Sequence, residues 1–216
     1  MSNDRHLQAA VLAELDWEPS IAAAHIGVMA DGGVVTLSGH VTSFAEKQAA
    51  EAAARRVKGV KAVVEEIEIR LHSHAKHEDE EIAAAAVHRL AWDVSVPRDA
   101  IQVQVEAGWI TLTGEVDWHF QRDNAKQAVL RLPGVIGISD KVTIKRKVDV
   151  GNISDEIMHA LHRSWFFDPK TVRVSAHDGK VVLAGTVRSP HERQIAAATA
   201  WAAPGVTDVR NDIMVA

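Results

Sequence analysis

The chain has 216 residues, a formal net charge of −5 and no cysteine, so a disulfide framework, a thiol nucleophile and a thiolate metal site are excluded. Aromatic residues make up only 5% and alanine is abundant, which points to thin cores with close helix-to-sheet contact rather than roomy ligand cavities. The charge divides as −3 over residues 1–71, −2 over 72–151 and 0 over 152–216, and no segment offers the concentrated positive face that an electrostatically driven nucleic-acid binder needs.

The first predicted element is an amphipathic helix, with Leu7, Val11 and Leu15 at spacing four, capped near Asn3 or Asp4 and ended by Trp17-Glu18-Pro19. Its longest apolar run, Ala9 to Ala13, is too short for a signal peptide, and Asp4, Glu14, Asp16 and Glu18 surround it, so a cytoplasmic protein is expected. No stretch reaches the ~20 apolar residues of a membrane-spanning helix. Ile26 and Val28 then alternate toward Asp31-Gly32-Gly33, a hairpin signal because glycine supplies the positive φ of a tight turn.

The strand after that turn occurs three times. Val34-Val35-Thr36-Leu37-Ser38-Gly39-His40-Val41 returns as Trp109-Ile110-Thr111-Leu112-Thr113-Gly114-Glu115-Val116 and as Lys180-Val181-Val182-Leu183-Ala184-Gly185-Thr186-Val187. In each copy apolar residues take three of the four alternate places, the period of a strand with one buried face, and the remaining place on that face is glycine. The glycines lie 75 and 71 residues apart, and Gly59, Gly134 and Gly205 keep the same two intervals. Gly39, Gly114 and Gly185 read as packing necessities, since a side chain there would wedge the helices from the sheet. The second set suits left-handed turns after a helix.

A second helix follows each repeated strand. Ser43-Phe44-Ala45-Glu46 and Ser189-Pro190-His191-Glu192 have capping-box spacing, whereas the middle copy places Trp118 where the others place serine. A third strand closes each repeat, through Val60, Val63, Ile67 and Ile69, then Val135, Ile138, Val142 and Ile144, then Val206, Val209, Ile213 and Val215. The pattern predicts an α+β protein of three tandem αββαβ units, each a three-stranded sheet with two helices on one face and the other face open. The expected boundaries are residues 1–71, 79–145 and 152–216, joined by short linkers at 72–78 and 146–151.

Candidate chemistry is sparse. His72, His74 and His77 beside Glu78 to Glu81 have metal-ligand composition but read as a solvated linker, and His159 and His162, three apart on a helix, lack an acidic partner. No metal or cofactor is expected, and no nucleophile, base and acid recur together. Gly134-Val135-Ile136-Gly137 spells the G-x-x-G of an RNA-binding loop without its basic middle residues and reads as coincidence. Trp17, Trp92 and Trp165 mark the first helix's end in each repeat and read as core or inter-repeat packing. Trp109 stands on the outward face of its strand, where the other repeats have Val34 and Lys180, and Trp118 and Phe120 follow it. These aromatics are the candidate partner-binding residues; the competing reading packs them on a neighbouring repeat.

The element order, the glycines at 39, 114 and 185, and the ending Gly205-Val206-x-x-Val209-x-Asn211-x-Ile213-x-Val215 resemble the BON domain over nearly the whole chain. That family is named for bacterial osmotic-stress and nodulation proteins. The resemblance implies a non-enzymatic module that attaches proteins to phospholipid surfaces or binds small ligands, often in stress responses. The Asn211 position is Glu65 and Asp140 in the earlier repeats, so a role that needs the amide does not extend to them. The expected function is therefore binding or scaffolding of a protein partner, a phospholipid surface or a small ligand. A nucleic-acid-binding module is the alternative and an enzyme ranks third.

Overall fold

The computed structural model describes residues 2–71, 78–146, 152–163 and 171–215. The first repeat forms α1 (Ser2–Trp17), a 3-10 turn (Ala23–His25), β1 (Ile26–Asp31), β2 (Val34–Val41), α2 (Phe44–Arg56) and β3 (Ala62–Ile69). The second forms α3 (Asp79–Trp92), β4 (Ile101–Glu106), β5 (Trp109–Val116), α4 (His119–Leu130) and β6 (Gly137–Ile144). The third forms α5 (Ile153–His162), β7 (Val172–His177), β8 (Lys180–Val187), α6 (Pro190–Trp201) and β9 (Asp208–Val215).

Each repeat owns one three-stranded sheet with its second strand in the centre. In the first, β1 runs antiparallel to β2, with Ile26 opposite Gly39 and Asp31 opposite Val34. The helix α2 then crosses over, so that β3 runs parallel to β2, with Val34 opposite Ala62 and Val41 opposite Ile69. The third sheet has the same pattern, with Val172 opposite Gly185 and Lys180 opposite Asp208. By packing, the chain falls into two compact units whose boundaries run through the elements of the second repeat. One comprises Met1–Arg89, Val103–Thr111 and Gln127–Ser139; the other comprises Leu90–Gln102, Leu112–Lys126 and Asp140–Ala216.

Alternation on β2 sends Val35, Leu37 and Val41 into the first core, where they meet Val11 and Leu15 of α1 and Ala50, Ala53 and Ala54 of α2. Alanine removes the side-chain bulk that would hold the helix off the sheet. The third core repeats this with Val181, Leu183 and Val187 against Ile157 and Leu161 of α5 and Ala196 and Ala200 of α6. The alternation fails at the end of the chain: Val215, expected on the buried face, is 44% exposed.

The strand glycines are indispensable, but the reason is not the helix. A Cβ on Gly39, Gly114 or Gly185 would lie 2.1, 2.1 and 2.0 Å from the backbone carbonyl oxygen of His25, Ala100 and Thr171, the residue just before the repeat's first strand. Their φ angles are +113°, +137° and +131°, a region closed to residues with a side chain. The carbonyl docks over the bare Cα, and the next residue's N–H bonds to it, as in Glu115 to Ala100 at 3.3 Å and Thr186 to Thr171 at 3.1 Å. The clash expected with the helices is thus a clash with the neighbouring strand.

The two-residue hairpin turns have positive φ at both positions: Gly32 and Gly33, Ala107 and Gly108, Asp178 and Gly179. That is the turn whose twist matches paired strands. The turn glycine also lies against the second glycine set: a Cβ on Gly108 would be 2.7 Å from the Gly134 carbonyl oxygen, and one on Gly179 would be 2.6 Å from that of Gly205. Asp4 does not cap α1, which begins at Ser2; its carboxylate accepts the Gly32 N–H at 3.0 Å. Asp79 does the same in the second repeat, accepting from Ala107 and Gly108 at 2.7 and 2.8 Å.

Because the steric conflict at Gly114 arises at the Cβ itself, Gly114→Ala should destabilise almost as much as Gly114→Val, each by at least about 1–3 kcal/mol. Denaturant melts of the two variants check this. A mild Gly114→Ala beside a severe Gly114→Val would restore the helix-wedge account.

Candidate functional site

The three repeats share a device at the start of the second helix, and the middle repeat alters it. Ser43 Oγ accepts the Glu46 N–H at 3.2 Å, and Ser189 Oγ accepts the Glu192 N–H at 3.2 Å, as the capping-box spacing predicts. Each glutamate reaches back to the residue before its cap: Glu46 accepts the Thr42 N–H at 2.9 Å and Glu192 the Arg188 N–H at 2.8 Å. Glu46 also accepts the Ala22 N–H at 2.8 Å, tying the loop before β1 to α2. Burial, the largest influence, pushes the Glu46 carboxyl up, but these N–H donors and the Thr42 hydroxyl together hold it below its ordinary value. In the middle repeat Trp118 has no side-chain oxygen to offer, so its backbone carbonyl accepts the Gln121 N–H at 3.2 Å, and the Gln121 side chain accepts the N–H groups of Asp117 and Trp118 at 3.0 and 3.1 Å.

What the cap gives up, the surface gains. Trp118 and Phe120 line an open cleft of 640 Å³ whose other wall is α6, from Gln194 through Ala197 and Ala198 to Trp201. His119 stacks on Trp201, ring centroids 3.9 Å apart and planes inclined by 21°. Phe120 is 51% exposed, and Asp123, on the same face of α4, is exposed. Burial lowers the His119 pKa, Asp123 opposes that shift, Arg122 adds to it, and Asp140 again opposes it. Arg122 is turned to Asp140 at 2.8 Å.

Trp109, the third aromatic of the expected site, is not among the cleft's lining residues. It lies on the outer sheet face, 46% exposed, and its ring covers Gly137 of β6, where a Cβ would fall 2.3 Å from the indole. Its Nε1–H donates to Ser139 Oγ at 2.9 Å. The G-x-x-G segment is therefore part of a packed surface: Val135 is buried and Gly137 lies beneath the indole.

Two other readings change. Trp17 and Trp92, expected in the core or between repeats, are 85% and 76% exposed at the ends of α1 and α3. Each is the last residue of its helix, and most of the indole stands in solvent. Trp165 and the His72, His74 and His77 run lie outside the described residues. His159 and His162 are exposed on α5, and no group of three or more potential metal ligands gathers among the described residues.

The sequence profile of the BON domain matches this chain three times, over residues 3–70, 78–146 and 149–216. Osmotically-inducible protein Y of Escherichia coli (strain K12) is 29% identical over 147 residues, spanning 66% of this chain and 73% of that protein. Among solved structures, the C-terminal domain of CdsD, the structural protein of the type III secretion system of Chlamydia trachomatis, shares 18% identity over 97% of both chains, with a TM-score of 0.26. The PrgH periplasmic domain shares 10% identity over 89% of this chain and 95% of its own, with a TM-score of 0.22.

The lowered pKa of His119 means that the folded protein favours the neutral ring. Its contribution to stability is complete above the ordinary value of about 6.5 and is lost as pH falls through the lower folded value. Melting temperature should therefore drop in acid more steeply for the native chain than for His119→Gln. Parallel pH profiles of the two proteins would contradict this.

Proposed function

The chain belongs to the BON-domain family, carrying three copies in tandem, and on that premise we propose that it is a non-enzymatic, stress-related binding or scaffolding protein of the cytoplasm that engages a protein partner through its second repeat. The family and the osmotically inducible relative support the stress-related binding role. The observation that carries the partner reading is Trp109. Its indole is half exposed on the outer sheet face, yet Ser139 and Gly137 already hold it in one orientation. An aromatic anchor fixed before binding loses little side-chain entropy on contact, which is how interface hot spots gain affinity.

A phospholipid surface is the second reading, favoured by the exposed Trp17 and Trp92 at corresponding helix ends. Tryptophan suits the boundary between headgroup and acyl chain. The net charges of −3 over residues 1–71 and −2 over residues 72–151 weaken attraction to anionic lipid. No helix among the described residues is long and apolar enough to cross a membrane.

Trp109→Ala should cost no more than about 1 kcal/mol of stability while reducing partner capture at least tenfold per folded molecule. Crosslinked capture from cells after a salt upshift, compared between native chain and variant, reads this. Flotation with anionic vesicles is the parallel measurement. Undiminished capture by a folded Trp109→Ala would remove the indole from the site, and vesicle binding lost on Trp17→Ala would favour the lipid reading. The stress assignment expects the chain's abundance to rise after hyperosmotic shock.

A further inference from the structure

The cleft between α4 and α6 has a composition that the Trp109 reading leaves unused. Trp118, Phe120 and Trp201 supply aromatic surface, and Ala197 and Ala198 keep the α6 wall low. The volume of 640 Å³ is within the range of about 300–1,000 Å³ typical of small-molecule sites. Asp123 bears the only formal charge on the lining, and it makes no hydrogen bond or ion pair among the described residues. We propose that this cleft binds a small quaternary ammonium cation, a trimethylammonium group seated against the aromatic rings with Asp123 balancing its charge.

Three features favour that ligand class. Aromatic faces attract a cation through their quadrupole, most strongly when the cation is desolvated. A tetraalkylated nitrogen donates no hydrogen bonds, so it can leave water for a wall with few acceptors, where the side-chain oxygens of Asn124 and Gln194 are the only neutral side-chain oxygens. A primary ammonium or guanidinium would lose hydrogen bonds to water that this lining does not replace. No cation on the lining opposes the ligand: His119 favours its neutral form, and the neighbouring Arg122 is paired with Asp140 at 2.8 Å. The partial positive charge at the start of α4 is offset by the partial negative charge at the end of α6, which supplies Trp201 and Ala202 to the same cleft.

The test is calorimetric titration of the full chain with choline at constant ionic strength. Its neutral carbon isostere 3,3-dimethylbutan-1-ol, guanidinium and methylammonium are titrated in parallel. Choline should bind, and the isostere, guanidinium and methylammonium should bind about tenfold more weakly or not at all. Phe120→Ala and Asp123→Asn should each weaken choline by about three- to thirtyfold. Both positions are exposed, so the variants should retain the native melting curve. If Phe120→Ala melts early, Asp123→Asn still decides. The proposal is overturned if choline fails to bind, if the isostere binds equally, if guanidinium or methylammonium binds as tightly, or if folded Asp123→Asn binds choline unchanged.

Discussion

A backbone carbonyl resting on a bare Cα holds each repeat together. The oxygen of His25, Ala100 or Thr171 occupies the space where a side chain on Gly39, Gly114 or Gly185 would stand. This approach fixes where the first strand meets the second, and with it the register of the antiparallel pair. Register decides which residues face the helices, because a slip of one residue would turn Val35 and Leu37 outward. The packing of α1 and α2 on one face therefore follows from a contact in the plane of the sheet.

With that frame held by backbone, side chains at the helix starts are free to diverge, and the middle repeat has used the freedom. Glu46 and Glu192 work with a serine cap, whereas Gln121 works without one. The loss of a cap hydroxyl costs about 1 kcal/mol. In exchange the second repeat places Trp118, His119 and Phe120 in succession where they meet α6. Divergence from the repeat pattern coincides with the candidate site.

Most of the fold was legible because its signals are local. Alternation in Val34 to Val41, the two glycine sets and the capping boxes each lie within a few residues, and three copies confirm one another. The site was legible only in part. Trp118 and Phe120 stood out as departures from the repeat, but Trp201 sits 82 residues beyond His119, and no periodicity announces that pairing. Trp17 and Trp92 were misplaced because a tryptophan closing an amphipathic helix looks like core by hydrophobicity alone. The role of Gly114 was visible and its cause was not, since the Ala100 carbonyl approaches through tertiary geometry.

Three sheets of one design on a single chain create a problem of identity during folding. The central strands β2, β5 and β8 are similar enough in shape for one to occupy another's place, and tethering keeps them at high local concentration. Short closure favours the correct partner. Val34 finds Ala62, and Lys180 finds Asp208, across 28 residues of chain, whereas the corresponding strand of the adjacent repeat begins 103 residues from Val34 and 43 from Lys180. The advantage in closure entropy is small, so speed and order of emergence decide: a sheet completed as its own segment leaves the ribosome has no vacancy when the next copy arrives. Strand exchange should therefore be commoner in chains refolded from denaturant than in chains folded during synthesis.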